Sequence, residues 1–190
     1  MTQPDTSTLD FLRSRRSYPP ALMTAPGPNE AQLTDLLTLA ARVPDHGKVE
    51  PWRFIVLKGA ARERIASLIE AASLAAGNTP EKAEKHGRAF QVPVVVAVVF
   101  TPVSSSKIPE WEQFLSSGAV CLSLVNAALA SGFGASWLTG VGAEDDFARA
   151  NLGLTTGERI AGFIHIGSRG ESTPPERPRP DIAAKTTVFE

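Results

Sequence analysis

Val94-Val95-Val96-Ala97-Val98-Val99-Phe100, which follows Pro93, is the stretch that decides the fold. All seven residues are apolar, and most of them are β-branched, which favours a strand. An uninterrupted apolar run, unlike an alternating one, is typical of a strand that is buried on both faces. We therefore expect 94–100 to be a central strand of a sheet within a larger core.

The segments around this strand have mixed helix and strand patterns. Further strands are predicted at 52–57, 135–141 and 160–166. Helical spacing of apolar residues predicts helices that end near Ser17, begin at Asn29, and cover 60–76, 81–88, 110–131 and 145–152. The order shows neither strict βαβ alternation nor an all-β rhythm. It predicts an α+β sandwich around one sheet.

The composition limits the class of protein. A chain of 190 residues with 43% hydrophobic residues is expected to form a single domain over 1–190. The net charge of -1 gives no overall preference for nucleic acid or an anionic membrane. Ser and Asn residues interrupt the apolar stretch 118–138, which favours a core helix over a membrane span. No signal peptide is visible. The single Cys121 excludes an intrachain disulfide, so we expect a cytoplasmic protein.

The common catalytic motifs are missing from the sequence. Gly132-Phe133-Gly134 follows a predicted helix and lacks the third glycine of a dinucleotide-binding motif. There is no Walker loop and no Gly-x-Ser-x-Gly elbow. His46, His86 and His165 are far apart without paired spacing, so we expect no metal site. Any chemistry is therefore expected to belong to a bound organic cofactor.

Arg15-Arg16-Ser17 stands at the predicted end of the first helix and is the first candidate site. Guanidinium groups and a short hydroxyl suit a doubly charged phosphate. The same residues could instead complement the negative C-terminal end of the helix dipole, and the segment alone leaves the two interpretations in balance. By itself, His46 is better explained as a turn residue. Glu50 could be a solvated carboxylate, 137–139 an ordinary strand, and Arg179 part of a solvated tail.

Several motifs, taken in order, resemble the nitroreductase family of FMN enzymes, in particular its short YdjA-like bacterial branch. The resemblance covers nearly the whole chain. Its most specific pieces are Arg15-Arg16-Ser17, Ala41-Arg42-Val43-Pro44-Asp45-His46 with Glu50-Pro51-Trp52, Trp111-Glu112, and Gly132-Phe133-Gly134-Ala135-Ser136-Trp137.

The resemblance implies a nitroreductase-like sandwich with one mixed, mainly antiparallel sheet. It also implies a homodimer that exchanges a C-terminal arm of about 171–190 and holds FMN at its interface. The terminal residues 186–189 have strand composition, so we expect them to pair elsewhere, on a partner subunit for example. The resemblance implies that Arg15 and Ser17, with Arg16 in the same segment, contact the phosphate and ribityl chain of FMN. It places Trp137, Leu138 and Thr139 beside the ring and Arg179 in the tail. It implies that His46 and Glu50 reach the flavin from the other subunit.

The activity implied is an NAD(P)H oxidoreductase with ping-pong turnover. A nicotinamide, NADH or NADPH, reduces the flavin, and a small-molecule acceptor such as a nitroaromatic or a quinone then takes the electrons. No side chain has to act as an obligate acid or base, and neither nucleic acid nor a membrane is an expected partner. The sequence leaves two alternatives: a protein that stores or senses flavin without efficient turnover, and a ligand-free domain with a basic surface.

Three positions depart from the family pattern. Pro19 stands where many relatives have a basic residue, and Leu138 stands where close relatives often have Arg. Glu50 replaces the usual Gln and can only accept hydrogen bonds while it is ionised. Together they predict a less positive flavin site, which leaves the redox potential and the choice between NADH and NADPH open.

Overall fold

The structure is a computed structural model that describes residues 5–104 and 107–190. Helices and strands follow one another in mixed order along the chain. The helices are α1 (Thr6–Ser14), α2 (Glu30–Ala40), α3 (Gly59–Ala75), α4 (Pro80–Ala89), α5 (Glu110–Ala130) and α6 (Asp145–Leu152). The strands are β1 (Met23–Thr24), β2 (Trp52–Leu57), β3 (Val94–Phe100), β4 (Gly134–Leu138) and β5 (Arg159–Arg169).

The strands form one antiparallel arrangement around β5. β5 pairs with β1, β3 and β4, and β3 also pairs with β2. Every pairing within the described residues is antiparallel, so the predicted α+β fold with a mainly antiparallel sheet is confirmed. The prediction for β3 is also confirmed, because all of its residues are buried. β5 pairs with more strands than β3 does, because with eleven residues it is long enough to pair with several strands along its length.

Helices cover both faces of the sheet. Alternate residues of β5 point to opposite faces. The Phe163 and His165 rings meet Phe90 at the end of α4, with ring centroids 5.1 and 4.9 Å apart. Gly162 faces the other side, where the Trp137 indole lies between it and Gly118 of α5. The sheet is therefore enclosed between α4 and α5, as a sandwich requires.

Helix α5 has one buried face and one exposed apolar face. Burial raises the pKa of the Cys121 thiol to about 12, so this cysteine stays a protonated core residue at neutral pH. By length and mean hydropathy (1.5) α5 could cross a membrane, but half of that stretch is buried inside the protein. The buried half fits a core helix. Trp111, Leu115 and Leu122 remain exposed on α5.

Several predicted boundaries differ from the structure because tertiary pairing overrides local pattern. Helix α1 ends at Ser14, and Arg15 is already extended (φ -58°, ψ 137°), which lets the Tyr18 N–H reach the Ala135 carbonyl at 2.8 Å. β1 lies in the proline-rich segment 19–28, where the sequence predicts no strand, and β4 ends at Leu138 rather than at 141. Residues 186–189 form no strand within this chain, and Phe189 is 93% exposed.

Candidate functional site

Six of the nine predicted site residues line one surface depression. Its volume is about 490 Å³. The six are Arg15, Arg16, Ser17, Trp137, Leu138 and Arg179. We call this depression the arginine pocket, because Arg15, Arg16, Arg177 and Arg179 all line it and no acidic residue does.

Tyr18 brings the N-terminal side of the pocket to the sheet. Its backbone N–H bonds to β4, and its ring packs on Gly134, where a Cβ atom would lie 2.9 Å from Tyr18 Cδ1. The Tyr18 hydroxyl donates to the carbonyls of Gly170 (3.1 Å) and Ser172. Tyr18 therefore fixes residues 15–17 beside β4 and beside the start of the tail.

The C-terminal tail closes the other side of the pocket. Arg16 donates to the Pro175 carbonyl, and Arg179 donates to the Arg13 carbonyl at 3.0 Å. Arg179 also forms an ion pair with Glu176 at 3.1 Å. Arg177 comes to the pocket with the same segment. We did not single out Arg177 as a site residue from the sequence, although the Pro-Arg pattern of the tail contained the signal.

Arg15 carries the clearest indication of a missing anionic partner. Its Nε–H is buried and has no hydrogen-bond partner among residues 5–104 and 107–190. A buried guanidinium nitrogen without a partner is costly, and a charged acceptor such as a phosphate oxygen would satisfy it. Ser17 is exposed beside it and can donate its hydroxyl to the same group. The residues present therefore fit a phosphate dianion.

Trp137 forms an aromatic wall of the arginine pocket. Its indole lies directly against Gly162 of β5, because Gly162 has no side chain there: a Cβ on Gly162 would lie 1.9 Å from Trp137 Nε1. On the helix side, a Cβ on Gly118 would lie 3.8 Å from the ring, which is an ordinary contact. The importance of Gly162 had no signal in the sequence, since only the pairing of β4 with β5 brings it under the indole.

Substitution of Gly162 by Ala should displace the Trp137 indole. We expect Gly162→Ala to lower the free energy of unfolding by about 1–3 kcal/mol, the usual cost of overpacking, as measured by urea titration. Trp137→Ala in the same chain should recover most of that loss, because the clash is removed. Gly118→Ala is the matched control and should not destabilise. An equal loss from Gly118→Ala, or no recovery in the double variant, would contradict this account.

Three predicted site residues lie outside the arginine pocket. Thr139 is exposed and follows the last residue of β4 without lining the pocket. His46 lines a depression between the 44–49 segment and α5, and Glu50 lines another with Trp52 and Phe54. Within one chain the structure therefore does not bring His46 or Glu50 to the arginine pocket.

No metal centre competes with this interpretation in the described ranges. Residues 5–104 and 107–190 hold no group of three or more His, Cys, Asp or Glu side chains that could bind a metal ion.

The fold and the pocket define an α+β protein with an arginine-lined cleft at the edge of its sheet, and comparison with known proteins gives the family. The model of the nitroreductase family matches residues 12–168. The chain is 34% identical over 161 residues to the Escherichia coli (strain K12) protein named "Putative NAD(P)H nitroreductase YdjA", covering 84% of this chain and 87% of that one. The chain belongs to the nitroreductase family of oxidoreductases.

Solved structures agree on the fold. The nitroreductase-like family protein from Bacillus cereus superposes with a TM-score of 0.80 at 24% identity, covering all of both chains. The FMN-dependent nitroreductase NfnB from Mycobacterium smegmatis, solved in complex with NADPH, gives a TM-score of 0.78 at 16% identity, covering 97% of this chain and 99% of that one.

Proposed function

We propose that this chain is an FMN-dependent NAD(P)H oxidoreductase that passes electrons to nitroaromatic, quinone or similar conjugated acceptors by a ping-pong mechanism. The observation that carries the proposal is the arginine pocket, which is lined both by Arg15, whose Nε is buried without a partner among the described residues, and by Trp137. Family membership and FMN-dependent structural relatives support the choice of cofactor. When bound, FMN accepts a hydride from NADH or NADPH and then gives the electrons to the acceptor.

The residues of the arginine pocket would bind and orient the cofactor, and none of them has to transfer a proton. Arg15 and Ser17 would donate hydrogen bonds to the FMN phosphate, and Arg16, Arg177 and Arg179, which line the same pocket, would add positive charge around it. Trp137 offers a flat apolar surface to a planar ring and keeps water from that side. The guanidinium groups also favour a ligand that gathers negative charge on reduction.

Anaerobic mixing tests the oxidoreductase proposal directly. The purified protein should be yellow. NADH or NADPH, added without oxygen, should bleach the flavin absorbance on the time scale of a single turnover. An acceptor added afterwards should restore the colour, which is the signature of ping-pong chemistry. Protein that binds FMN but is not bleached by either nucleotide would favour the storage or sensing alternative. Colourless protein that does not take up added FMN would support the ligand-free alternative.

One observation favours the alternative function, in which the protein stores or senses flavin without efficient turnover. Pro19 and Leu138 both line the arginine pocket, where the family often has cations. A cation near the ring stabilises the reduced, more negative flavin. Neutral residues at both positions lower the flavin's tendency to accept a hydride. The bleaching experiment distinguishes slow reduction from none.

We also propose that the active protein is a homodimer with FMN at the subunit interface, with Glu50 and His46 supplied by the second subunit. These two residues lie away from the arginine pocket of their own chain. Trp111 and Leu115 on α5 are 66% and 63% exposed, and Leu122 is on the same helix. An exposed apolar patch of this kind is typical of a protein interface. The expected exchange arm is 171–190. Its residues 175–179 contact residues 13–16 of their own chain, so we expect its exposed end, 181–190, to be the part that reaches the second subunit. The single domain is expected to function in the cytoplasm.

Disruption of the α5 surface should separate the subunits. We expect the wild-type chain to have the mass of a dimer by light scattering, and Leu115→Glu with Leu122→Glu to give a monomer with weak FMN binding, because two charges would be buried in an apolar interface. Lys82→Glu on α4 is an exposed control and should leave the dimer unchanged. A monomeric wild type that binds FMN tightly would contradict the shared site.

A further inference from the structure

The loop 44–51, which contains His46, is fixed to α5 at both of its ends. The Ser116 hydroxyl donates to the Pro44 carbonyl at 2.7 Å, and the buried Ser117 hydroxyl donates to the Pro51 carbonyl at 3.0 Å. The two serines are adjacent in the helix and reach opposite ends of the loop. The loop therefore has a defined position relative to α5. A side chain of α5 that contacts the loop does so in a fixed geometry.

Between these ends the loop backbone is strained. Gly47, Lys48 and Glu50 all have positive φ angles (72°, 53° and 51°). For the two non-glycine residues this conformation is uncommon and costs energy. The Asp45 carboxylate accepts the Glu50 N–H at 2.9 Å, which supports the turn from within. Strain that is maintained in this way is found most often where a loop must present a side chain in one position.

His46 is held by a third side chain of α5. Its Nδ1 lies 2.7 Å from Oε1 of Glu112, across 66 residues of sequence. Glu112 and Ser116 are one helical turn apart, so the same face of α5 contacts both Pro44 and His46. An ionised carboxylate can only accept, so the proton of this hydrogen bond is on Nδ1 of His46. No hydrogen bond to His46 Nε2 is found in the described part of the chain.

We propose that Glu112 is a positioning residue for His46. It fixes the imidazole in the Nδ1–H form and orients the ring so that Nε2 is presented to the bound flavin or its acceptor as a hydrogen-bond acceptor for an N–H or O–H group. The inference rests on the proposed function, in which His46 reaches the flavin of the second subunit. A carboxylate that hydrogen-bonds one ring nitrogen commonly decides which nitrogen of a histidine is available to a ligand.

Two substitutions at Glu112 separate hydrogen bonding from charge. In Glu112→Ala the Nδ1 proton loses its acceptor, and the ring should shift toward the Nε2–H form. In Glu112→Gln the amide oxygen can still accept from Nδ1–H, so the tautomer should be retained without the charge. The primary readout is ¹⁵N NMR of the His46 ring in protein freed of FMN, which depends on neither flavin binding nor turnover.

The kinetic readout uses the holoprotein. We expect Glu112→Ala to lower kcat/KM by about tenfold, a typical effect of losing a residue that orients a ligand-binding histidine, and Glu112→Gln to recover most of it. Glu112→Ala should have no further effect in a chain that carries His46→Ala. The control is Glu110→Gln, which removes a carboxylate charge from the same helical turn but takes it from the ion pair with Arg159 instead.

The outcomes distinguish this inference from the proposed function. An unchanged His46 tautomer in Glu112→Ala would overturn the inference, and so would an equal kinetic loss in the presence and absence of His46. A tautomer shift caused by Glu110→Gln would also overturn it. Failure of the wild-type protein to bind or reduce FMN would overturn the proposed function and leave the NMR result as an independent test of the Glu112–His46 contact.

Discussion

The double substitution Arg15→Ala with Ser17→Ala is expected to weaken FMN binding by at least about 100-fold. Hydrogen bonds to a charged group contribute about 1.5–3 kcal/mol each, and about 1.4 kcal/mol corresponds to a factor of ten in the dissociation constant. The Arg15 Nε–H is buried and without a partner among the described residues, so the ligand would supply its missing acceptor. The measurement is quenching of flavin fluorescence during titration of the FMN-free protein.

Arg13→Ala is the matched control for this experiment. Arg13 is in the same segment but is exposed, and it pairs with Asp10 at 2.9 Å rather than lining the arginine pocket. We expect less than about a twofold change in FMN affinity, since exposed ion pairs contribute little. Because Arg15 lies beyond the end of α1 and in no regular element, the double variant should keep the wild-type circular dichroism spectrum. Wild-type FMN affinity in the double variant would show that the phosphate lies elsewhere.

Acidification is expected to destabilise the protein between about pH 6.5 and pH 4 through His165. The ring is fully buried in β5 against Phe90, and burial lowers its pKa from 6.5 to about 4. Between those values the unfolded chain binds a proton that the folded ring does not. The stability contribution is therefore complete above about pH 6.5 and is lost as the pH falls through 4. A shift of this size corresponds to about 3 kcal/mol of folding free energy.

Urea titrations at several pH values in the range 4–7 would measure this effect. His165→Phe is the comparison, because it removes the titrating group and keeps an aromatic ring beside Phe90. The slope of unfolding free energy against pH should be smaller in the variant, whatever its absolute stability. The Glu158 carboxylate titrates at lower pH. Its hydrogen bond with Arg53 lowers its pKa from 4.5 to about 2, so its contribution is lost between about pH 4.5 and pH 2, which is almost entirely below the measured range. Equal slopes in both proteins would contradict the assignment to His165.

Local patterns predicted the elements whose residues are chemically uniform. β3 is an unbroken apolar run, and β2 was predicted at its observed residues. The helix predicted to begin at Asn29 does so: Asn29 caps α2, and Asn29 and Gln32 make both reciprocal hydrogen bonds of a capping box. These features depend on the side chains of neighbouring residues alone, so the sequence is sufficient to predict them.

Elements that depend on distant partners were predicted less well. β1 is only two residues long and exists because Met23 and Thr24 pair with the end of β5. Helix α1 ends three residues earlier than expected because the chain must extend for Tyr18 to bond with Ala135. Neither pairing has a local signal. The same limitation applies to Gly162, whose role is visible only once β4 lies beside β5.

The sequence by itself determined the fold class and the order of the main elements, because these follow from apolar periodicity. Through its resemblance to a known family it also indicated six of the residues that line the arginine pocket. Only the tertiary structure decided that Arg177 joins Arg15 and Arg179 in one pocket, that the indole of Trp137 lies on Gly162, and that Glu112 holds His46. These contacts join residues separated by tens of positions. Their geometry is set by strand register and helix packing, which no local stretch of sequence specifies.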